Sequence, residues 1–282
     1  MPTDVSVTLS FNRFLRPDTA IRQSILFYTG DPSNPAPPVS TTRPEITPEY
    51  DLMEQSVRFV LPPGFTLEPH ALYTVELPIA DNDQAFGFRA FDGAPLAGTT
   101  SVRISFLTGA GPSSTAPAND VPSCADFLAL TSQCVGAPCH GEGGEGPAMG
   151  LSFETADALV ATAVGRTAHE TESGASLGEV DQDPERFGVN MPIIDPGRPE
   201  NSYLMYKLLI GSAPYELAPG EACPAGERCA VPDSAELDRL RAWFVRGEPM
   251  PWLSAEEQFI HHDELRAIQT FIAQGDACAN GP

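Results

Sequence analysis

Alternating apolar and polar residues mark the first part of the chain. Val5, Val7, Leu9 and Phe11 alternate with serine and threonine, which is the period of a strand with one buried face. Further short apolar or β-branched runs occupy 24–28, 57–61, 73–77 and 102–106. Turn sequences rich in Pro, Gly and Asp separate these runs. Short strands punctuated in this way predict an antiparallel β-sandwich.

Apolar residues recur at helical spacing in the second part of the chain. Helices are predicted over five segments: 125–131, 153–164, 202–210, 236–248 and 264–276. Ser234 and Asp263 are the expected N-terminal caps of the last two helices. Gly247 and Gly275 are their expected C-terminal stops. The second part is therefore predicted to be helical, with irregular loops between the helices.

A segment rich in Pro, Ser and Ala, residues 110–122, separates the two parts and shows no hydrophobic periodicity. It predicts an exposed, semi-extended linker. The predicted organisation is a β-domain over 1–109, the linker, and a helical domain over 123–282.

Three stretches of the first part resemble bacterial Ig-like domains: "VTLSFNRFLRPDTA", "SVRFVLPPGFTLEPHALYTVELP" and "FDGAPLAGTTSVRISFLTG". The resemblance covers about residues 4–109. Leu67, Pro69, Tyr73 and Val75 match one motif of that family, and a Phe-x-Thr ending matches another. The resemblance implies an Ig-like sandwich that acts as a spacer or presents a neighbouring domain. Tyr73 is expected to be a core or corner residue rather than a functional one.

The chemistry of the chain is concentrated in the segment from Cys134 to Gly141, which reads Cys-Val-Gly-Ala-Pro-Cys-His-Gly. A Cys-x-x-Cys-His motif attaches haem c through two thioethers and supplies the adjacent His as an axial ligand. Here four residues separate Cys134 from Cys139, and Gly136 would let the longer loop bulge out. The segment predicts one covalent haem c, with His140 bound to the iron. The competing interpretation is a disulfide, or two structural thiols, beside a surface histidine.

Three stretches of the second part resemble a planctomycete-type cytochrome c domain: "LTSQCVGAPCHGEGGEGPAMGLSF", "DPGRPENSYLMYKLL" and "ELDRLRAWFVRGEPMP". The resemblance covers about residues 121–277. It implies a small all-α haem fold whose iron has His on one side and Met on the other. Met250, which precedes Pro251, is the expected second ligand, and Met191 in a similar Met-Pro pair is the main alternative.

Other ligands and packing roles stay open. Met205 is a weaker candidate ligand, and a second histidine, at 169, 261 or 262, would replace methionine in a bis-His site. Each methionine could equally fill a gap in the core.

Six cysteines, all after residue 120, favour an oxidising compartment. If haem takes two, three pairings of the other four are possible. A short loop joins Cys223 to Cys229, and Cys124 and Cys278 lie at the ends of the helical domain, so these two pairs are expected. Without haem, fifteen connectivities are open, and Cys134–Cys139 is one candidate pair.

The chain carries 16 basic and 38 acidic residues, a net charge of −22, which argues against a nucleic-acid partner. Only −5 of this charge belongs to residues 1–110, so the second part is strongly acidic and suits a basic redox partner. No apolar run is long enough to span a membrane, and no leader-like segment opens the chain. An exported form would have lost its leader before Met1.

Together these features predict an exported electron-transfer protein, in the periplasm, at the outer membrane or outside the cell. On this reading the protein is a carrier rather than an enzyme. A haem-free adhesion or scaffold protein held by three disulfides is the alternative from another class. A haem enzyme such as a peroxidase is a third, weaker possibility.

Overall fold

The computed structural model describes the chain over most of its length. The described residues are 1–31, 34–35, 46–80, 86–98, 101–112, 121–135, 139–141, 147–171, 187–212, 222–223, 229, 232–245, 250, 260–275 and 278. The chain divides into two compact units, Met1–Ala118 and Asn119–Pro282, called below the N-terminal and the C-terminal unit. Most of the predicted linker lies outside the described residues.

Seven strands lie in the described part of the N-terminal unit. They are β1 (Val7–Ser10), β2 (Leu26–Asp31), β3 (Asn34–Pro35), β4 (Thr47–Asp51), β5 (Ser56–Val60), β6 (Leu72–Leu77) and β7 (Val102–Leu107). One sheet has the order β1-β5-β4 and the other the order β3-β2-β6-β7, with antiparallel pairing throughout. In the second sheet, the register sets Val75 of β6 opposite Phe27 of β2 and Ile104 of β7.

The predicted Ig-like sandwich is wrong. The strands belong to two small sheets, and β3 contributes only two residues to one of them. Much of the core comes from residues outside the strands, including the fully buried Phe14, Leu52, Phe88 and Phe91. The reason is that the alternation of apolar and polar residues identifies strands with one buried face, but it does not show what covers that face. Here loop residues cover much of it.

Tyr73 is buried, as expected of a core residue. Its hydroxyl accepts a hydrogen bond from the Glu68 amide at 3.0 Å. Thr108, just after β7, is also buried, and its hydroxyl donates to the Glu68 carbonyl at 2.6 Å. These bonds fix the turn that leads into β6 against the end of β7.

Five short α-helices lie in the described part of the C-terminal unit. They are α1 (Cys124–Leu130), α2 (Ala156–Thr162), α3 (Tyr203–Ser212), α4 (Ser234–Trp243) and α5 (His262–Ala273). The predicted order, strands first and helices second, is therefore observed. The prediction of an all-α cytochrome c-like domain is wrong, because these helices are only seven to twelve residues long and form a small part of the unit.

The helix boundaries follow from capping chemistry that the sequence only partly reveals. Asp233, not Ser234, caps α4 through a 2.9 Å bond from the Ala235 amide. His261, not Asp263, is the cap residue of α5. Gly275 has φ +77 just beyond α5, as its predicted role as a stop requires. Within the described residues, no helix combines the length and apolar character needed to cross a membrane.

Candidate functional site

A backbone hydrogen bond brings His140, and with it the adjacent Cys139, close to Cys134. After α1, a short 3-10 turn ends at Cys134, and the His140 amide then donates to the Cys134 carbonyl at 2.8 Å. Gly141 follows, and a Cβ at this position would collide with the Val135 carbonyl, so only glycine fits. The two motif cysteines and the histidine are therefore brought to one loop, although 136–138 lie outside the described residues.

The two cysteines of this loop are unpaired and half-buried. Burial, and to a smaller extent the charge of a Cys139 thiolate, raises the pKa of Cys134 to about 11. Cys134 is thus a neutral thiol at physiological pH. Since thiolates rather than thiols are nucleophiles, Cys134 does not resemble a reactive cysteine.

His140 is held in one orientation by its surroundings. It is only 9% exposed, and its Nδ1 atom lies 3.1 Å from the Leu151 carbonyl oxygen. Because that carbonyl can only accept, Nδ1 carries the proton and the Nε2 atom carries the lone pair of the neutral ring. Burial lowers the pKa of His140, against the opposing effect of backbone hydrogen bonds with Leu151 and Ala148.

An aromatic chain connects His140 to the helices. The Phe153 ring meets the His140 ring edge to face, with centroids 5.5 Å apart. Phe153 also packs on Phe127 of α1, and Phe127 stacks on Phe271 of α5 at 4.5 Å. All three phenylalanines are buried. The orientation of the histidine is thus tied to the α1–α5 core.

The other four cysteines form two disulfides, Cys124–Cys278 and Cys223–Cys229, which are the expected pairs. Cys124 is the first residue of α1, and Cys278 follows α5, so the first bond joins the ends of the two helices that carry Phe127 and Phe271. A capping box between Ser123 and Asp126 starts α1 at the same place.

The methionines proposed as second ligand lie in other surroundings. The backbone of Met250 lies directly against Gly211 near the end of α3, where a Cβ would overlap it. The carbonyl of the buried Met191 accepts a bond from the Ala168 amide at 2.9 Å. The described contacts therefore attach neither methionine to the group formed by His140, Leu151 and Phe153.

The remaining candidate iron ligands differ in how deeply they are buried. Met205 is fully buried in α3. His169 is exposed, whereas His262 is buried at the start of α5. In the part of the chain that the structure describes, no three His, Cys, Asp or Glu side chains are grouped so that they could hold a metal ion.

An open cavity of about 640 Å³ lies beside α1 and α5. Its lining includes Val121, Asp126, Gln133 and Glu264, but not the two unpaired cysteines or His140. The cavity therefore does not belong to the cysteine–histidine loop.

The groups that orient His140 were not predicted from the sequence. A backbone carbonyl such as that of Leu151 leaves no signal in residue identity. Phe153 was placed at the start of a helix, but it precedes α2, and only its spacing to an apolar run could have marked it as a core residue.

No protein-family model matches this chain, and no curated protein matches it. Among solved structures, the N-terminal part of the bacterial S-layer protein SbsC is similar at 14% identity with a TM-score of 0.26. The match covers 39% of this chain and 21% of that chain, so this protein spans about one fifth of it. At that TM-score the similarity carries no argument about fold or function.

Proposed function

We propose that this protein is an exported electron-transfer protein that carries one haem c on the loop Cys134–Gly141. The observation that carries the proposal is the division of the six cysteines. Four pair as disulfides, and the two that stay unpaired are Cys134 and Cys139, immediately before His140. In an oxidised scaffold with no cofactor, these two thiols would be expected to form a third disulfide.

The chemistry of the donor set fits a covalent haem. Cys134 and Cys139 are thiols, and each would add across a vinyl double bond of the porphyrin, with sulfur on one carbon and the thiol hydrogen on the other. The neutral His140 ring carries its lone pair on Nε2, since Nδ1 is held by the Leu151 carbonyl. A histidine so held is the arrangement that metal-bound imidazoles use.

The remaining residues have supporting roles in this proposal. Phe153 would keep the His140 ring in position. Met250, or alternatively Met191, would supply the second ligand to the iron. When bound, the haem would supply reversible one-electron exchange at iron. The protein would act as a carrier and not as an enzyme.

The charge and the disulfides support the rest of the proposal. Residues 111–282 carry −17 of the net charge, which favours a basic redox partner and predicts association that slows as salt rises. Two disulfides support a periplasmic, outer-membrane or extracellular location. The N-terminal unit would act as a spacer.

The test is expression with cytochrome c maturation machinery, followed by a pyridine haemochrome spectrum and intact mass. The expected result is one covalent haem per chain, lost in the Cys134→Ser/Cys139→Ser variant. The matched control, Cys223→Ser/Cys229→Ser, keeps its haem. A chain without haem whose mass shows Cys134 and Cys139 joined as a third disulfide would overturn the proposal and favour the haem-free scaffold.

A further inference from the structure

Strand β7 is an edge strand of the four-stranded sheet, whose order is β3-β2-β6-β7. The opposite edge, β3, is two residues long and contains Pro35, which cannot donate to another strand. By contrast, β7 is six residues long and contains no Pro or Lys, so within the described residues its edge carries fewer of the features that usually protect one.

The direction of the main-chain groups along β7 follows from its two neighbours. On the β6 side, the Thr108 amide donates to the Ala71 carbonyl at 3.0 Å. On the other side, the Leu107 carbonyl accepts from the Met1 amino group at 2.8 Å. Because successive residues of a strand point their main-chain groups in opposite directions, those of Ser105 point away from β6. Ser105 thus presents an amide and a carbonyl at the outer edge.

The side chains of β7 are unusually exposed for their type. Val102 is 45% and Ile104 is 48% exposed, although both lie on the sheet face that includes the buried Val75 and Leu77. Phe106 on the same face is half-buried. The core-side face of the sheet therefore ends at β7 with apolar side chains only partly covered.

The charge of β7 is neutralised within its own sheet. Arg103 is its one charged residue, and its guanidinium pairs with Glu76 of β6, with Nε and Oε2 3.0 Å apart. Residues 1–110 carry only −5 of the net charge, so repulsion between two N-terminal units is modest and screened by salt.

We propose that β7 pairs with β7 of a second copy of this chain, antiparallel, about a two-fold axis at Ile104. In this register Ile104 faces Ile104 of the second copy, and Val102 faces its Phe106, so apolar residues meet on one face. The Ser105 main chain then lies across from Arg103 of the second copy, within the hydrogen-bonding distance of an antiparallel pair.

Two neighbouring registers of this β7–β7 pairing also keep the apolar side chains on one face, but both are disfavoured. A shift in one direction places Arg103 opposite Arg103 of the second copy, which sets two like charges against each other. A shift in the other direction moves the second strand into the space beside Leu107 that Met1 occupies. Because the two-fold pairing uses the same edge of both copies, it closes at a dimer.

The experiment is the molar mass of the whole protein in solution, measured by light scattering after size exclusion and by sedimentation. The expected mass of the wild type at the highest soluble concentration is twice the 30.1 kDa of one chain. Ser105→Pro removes an amide that points away from β6, together with the hydroxyl contact to Thr74, and a strand edge tolerates the ring. This variant is expected to be monomeric. The control Ser105→Ala keeps the amide, although it loses the 2.9 Å contact between the Ser105 and Thr74 hydroxyls, and is expected to stay dimeric.

A second variant keeps the proposal testable if Ser105→Pro does not fold. Ile104→Lys alters a side chain that is already half exposed and sets two cations at the two-fold axis, so it is also expected to give a monomer. Circular dichroism checks that each variant is folded. A monomeric wild type, or folded Ser105→Pro and Ile104→Lys proteins that both remain dimers, would overturn the proposal.

Discussion

The Nδ1 atom of His140 and the carbonyl oxygen of Leu151 lie 3.1 Å apart, although the two residues are eleven positions apart in the chain. This contact selects the tautomer of a buried, neutral imidazole. It gives the proposed haem ligand a fixed orientation before any cofactor is attached, and it is maintained by the packing of Phe153 and Phe127.

Replacement of His140 separates iron ligation from covalent attachment. In His140→Ala, we expect haem to remain bound through Cys134 and Cys139, because the thioethers do not depend on the imidazole. The ferric absorption spectrum should change to that of an iron that has lost a strong axial ligand. The exposed His70 of the N-terminal unit provides the control, since His70→Ala should leave the spectrum unchanged. An unaltered spectrum in His140→Ala would count against His140 as a ligand.

Replacement of the methionines identifies the second ligand. In the haem-loaded protein, Met250→Ala should abolish the weak long-wavelength band of ferric iron bound to a thioether and lower the reduction potential. Met191→Ala should retain the band. The opposite result would assign Met191, and retention of the band in both variants would exclude both. Near-ultraviolet circular dichroism checks that the loss of the buried Met191 side chain has not disturbed the fold.

The two disulfides should contribute unequally to stability. The chain-entropy relation gives about 5 kcal/mol for the long loop closed by Cys124–Cys278 and about 2 kcal/mol for the short one closed by Cys223–Cys229. We therefore expect Cys124→Ser/Cys278→Ser to lower the free energy of unfolding more than Cys223→Ser/Cys229→Ser. Both tryptophans of the chain lie in the C-terminal unit, so denaturant unfolding followed by their fluorescence reports on that unit. Equal losses would contradict the entropic account.

Acid should weaken the N-terminal unit through Glu76. Hydrogen bonds from Arg103 above all, and from Ser101 and Tyr28, lower the pKa of Glu76 despite partial burial. A carboxylate with a lowered folded-state pKa stabilises above its unfolded pKa, about 4.3, and this stabilisation is lost as the pH falls through the folded value.

In Glu76→Gln, calorimetry should therefore show a lower melting temperature for this unit near neutral pH and a flatter decline in acid. Glu68→Gln, at an exposed position of the same unit, is the matched control for the loss of one carboxylate charge. A steep acid loss in Glu76→Gln equal to that of the wild type would place the effect elsewhere.

The sequence predicted secondary structure best where apolar and polar side chains alternate with the period of a strand. Alternation located β1, β2, β5, β6 and β7 to within a few residues. It missed β4, because Pro48 and Glu49 resemble loop residues even though they pair with Phe59 and Arg58 of β5. Alternation also could not show how the strands associate, which is why the sandwich was predicted wrongly.

The disulfide pairs of the C-terminal unit were predictable from the sequence. Spacing along the chain suggested which cysteines pair, and the structure contains those pairs. The groups that hold His140 were not predictable, because a carbonyl oxygen is present at every residue and only the fold selects that of Leu151. The second ligand of the proposed haem iron is unassigned because Met-Pro pairs occur at both Met191 and Met250.

The Cys124–Cys278 bond also has a mechanical consequence. The chain enters the C-terminal unit just before Cys124, and Cys278 follows its last helix. A pulling force applied to residues outside these two cysteines is carried by the sulfur–sulfur bond rather than by the 153 residues between them. Tension along the polypeptide would therefore bypass the loop that bears Cys134, Cys139 and His140, and that loop would stay folded under load.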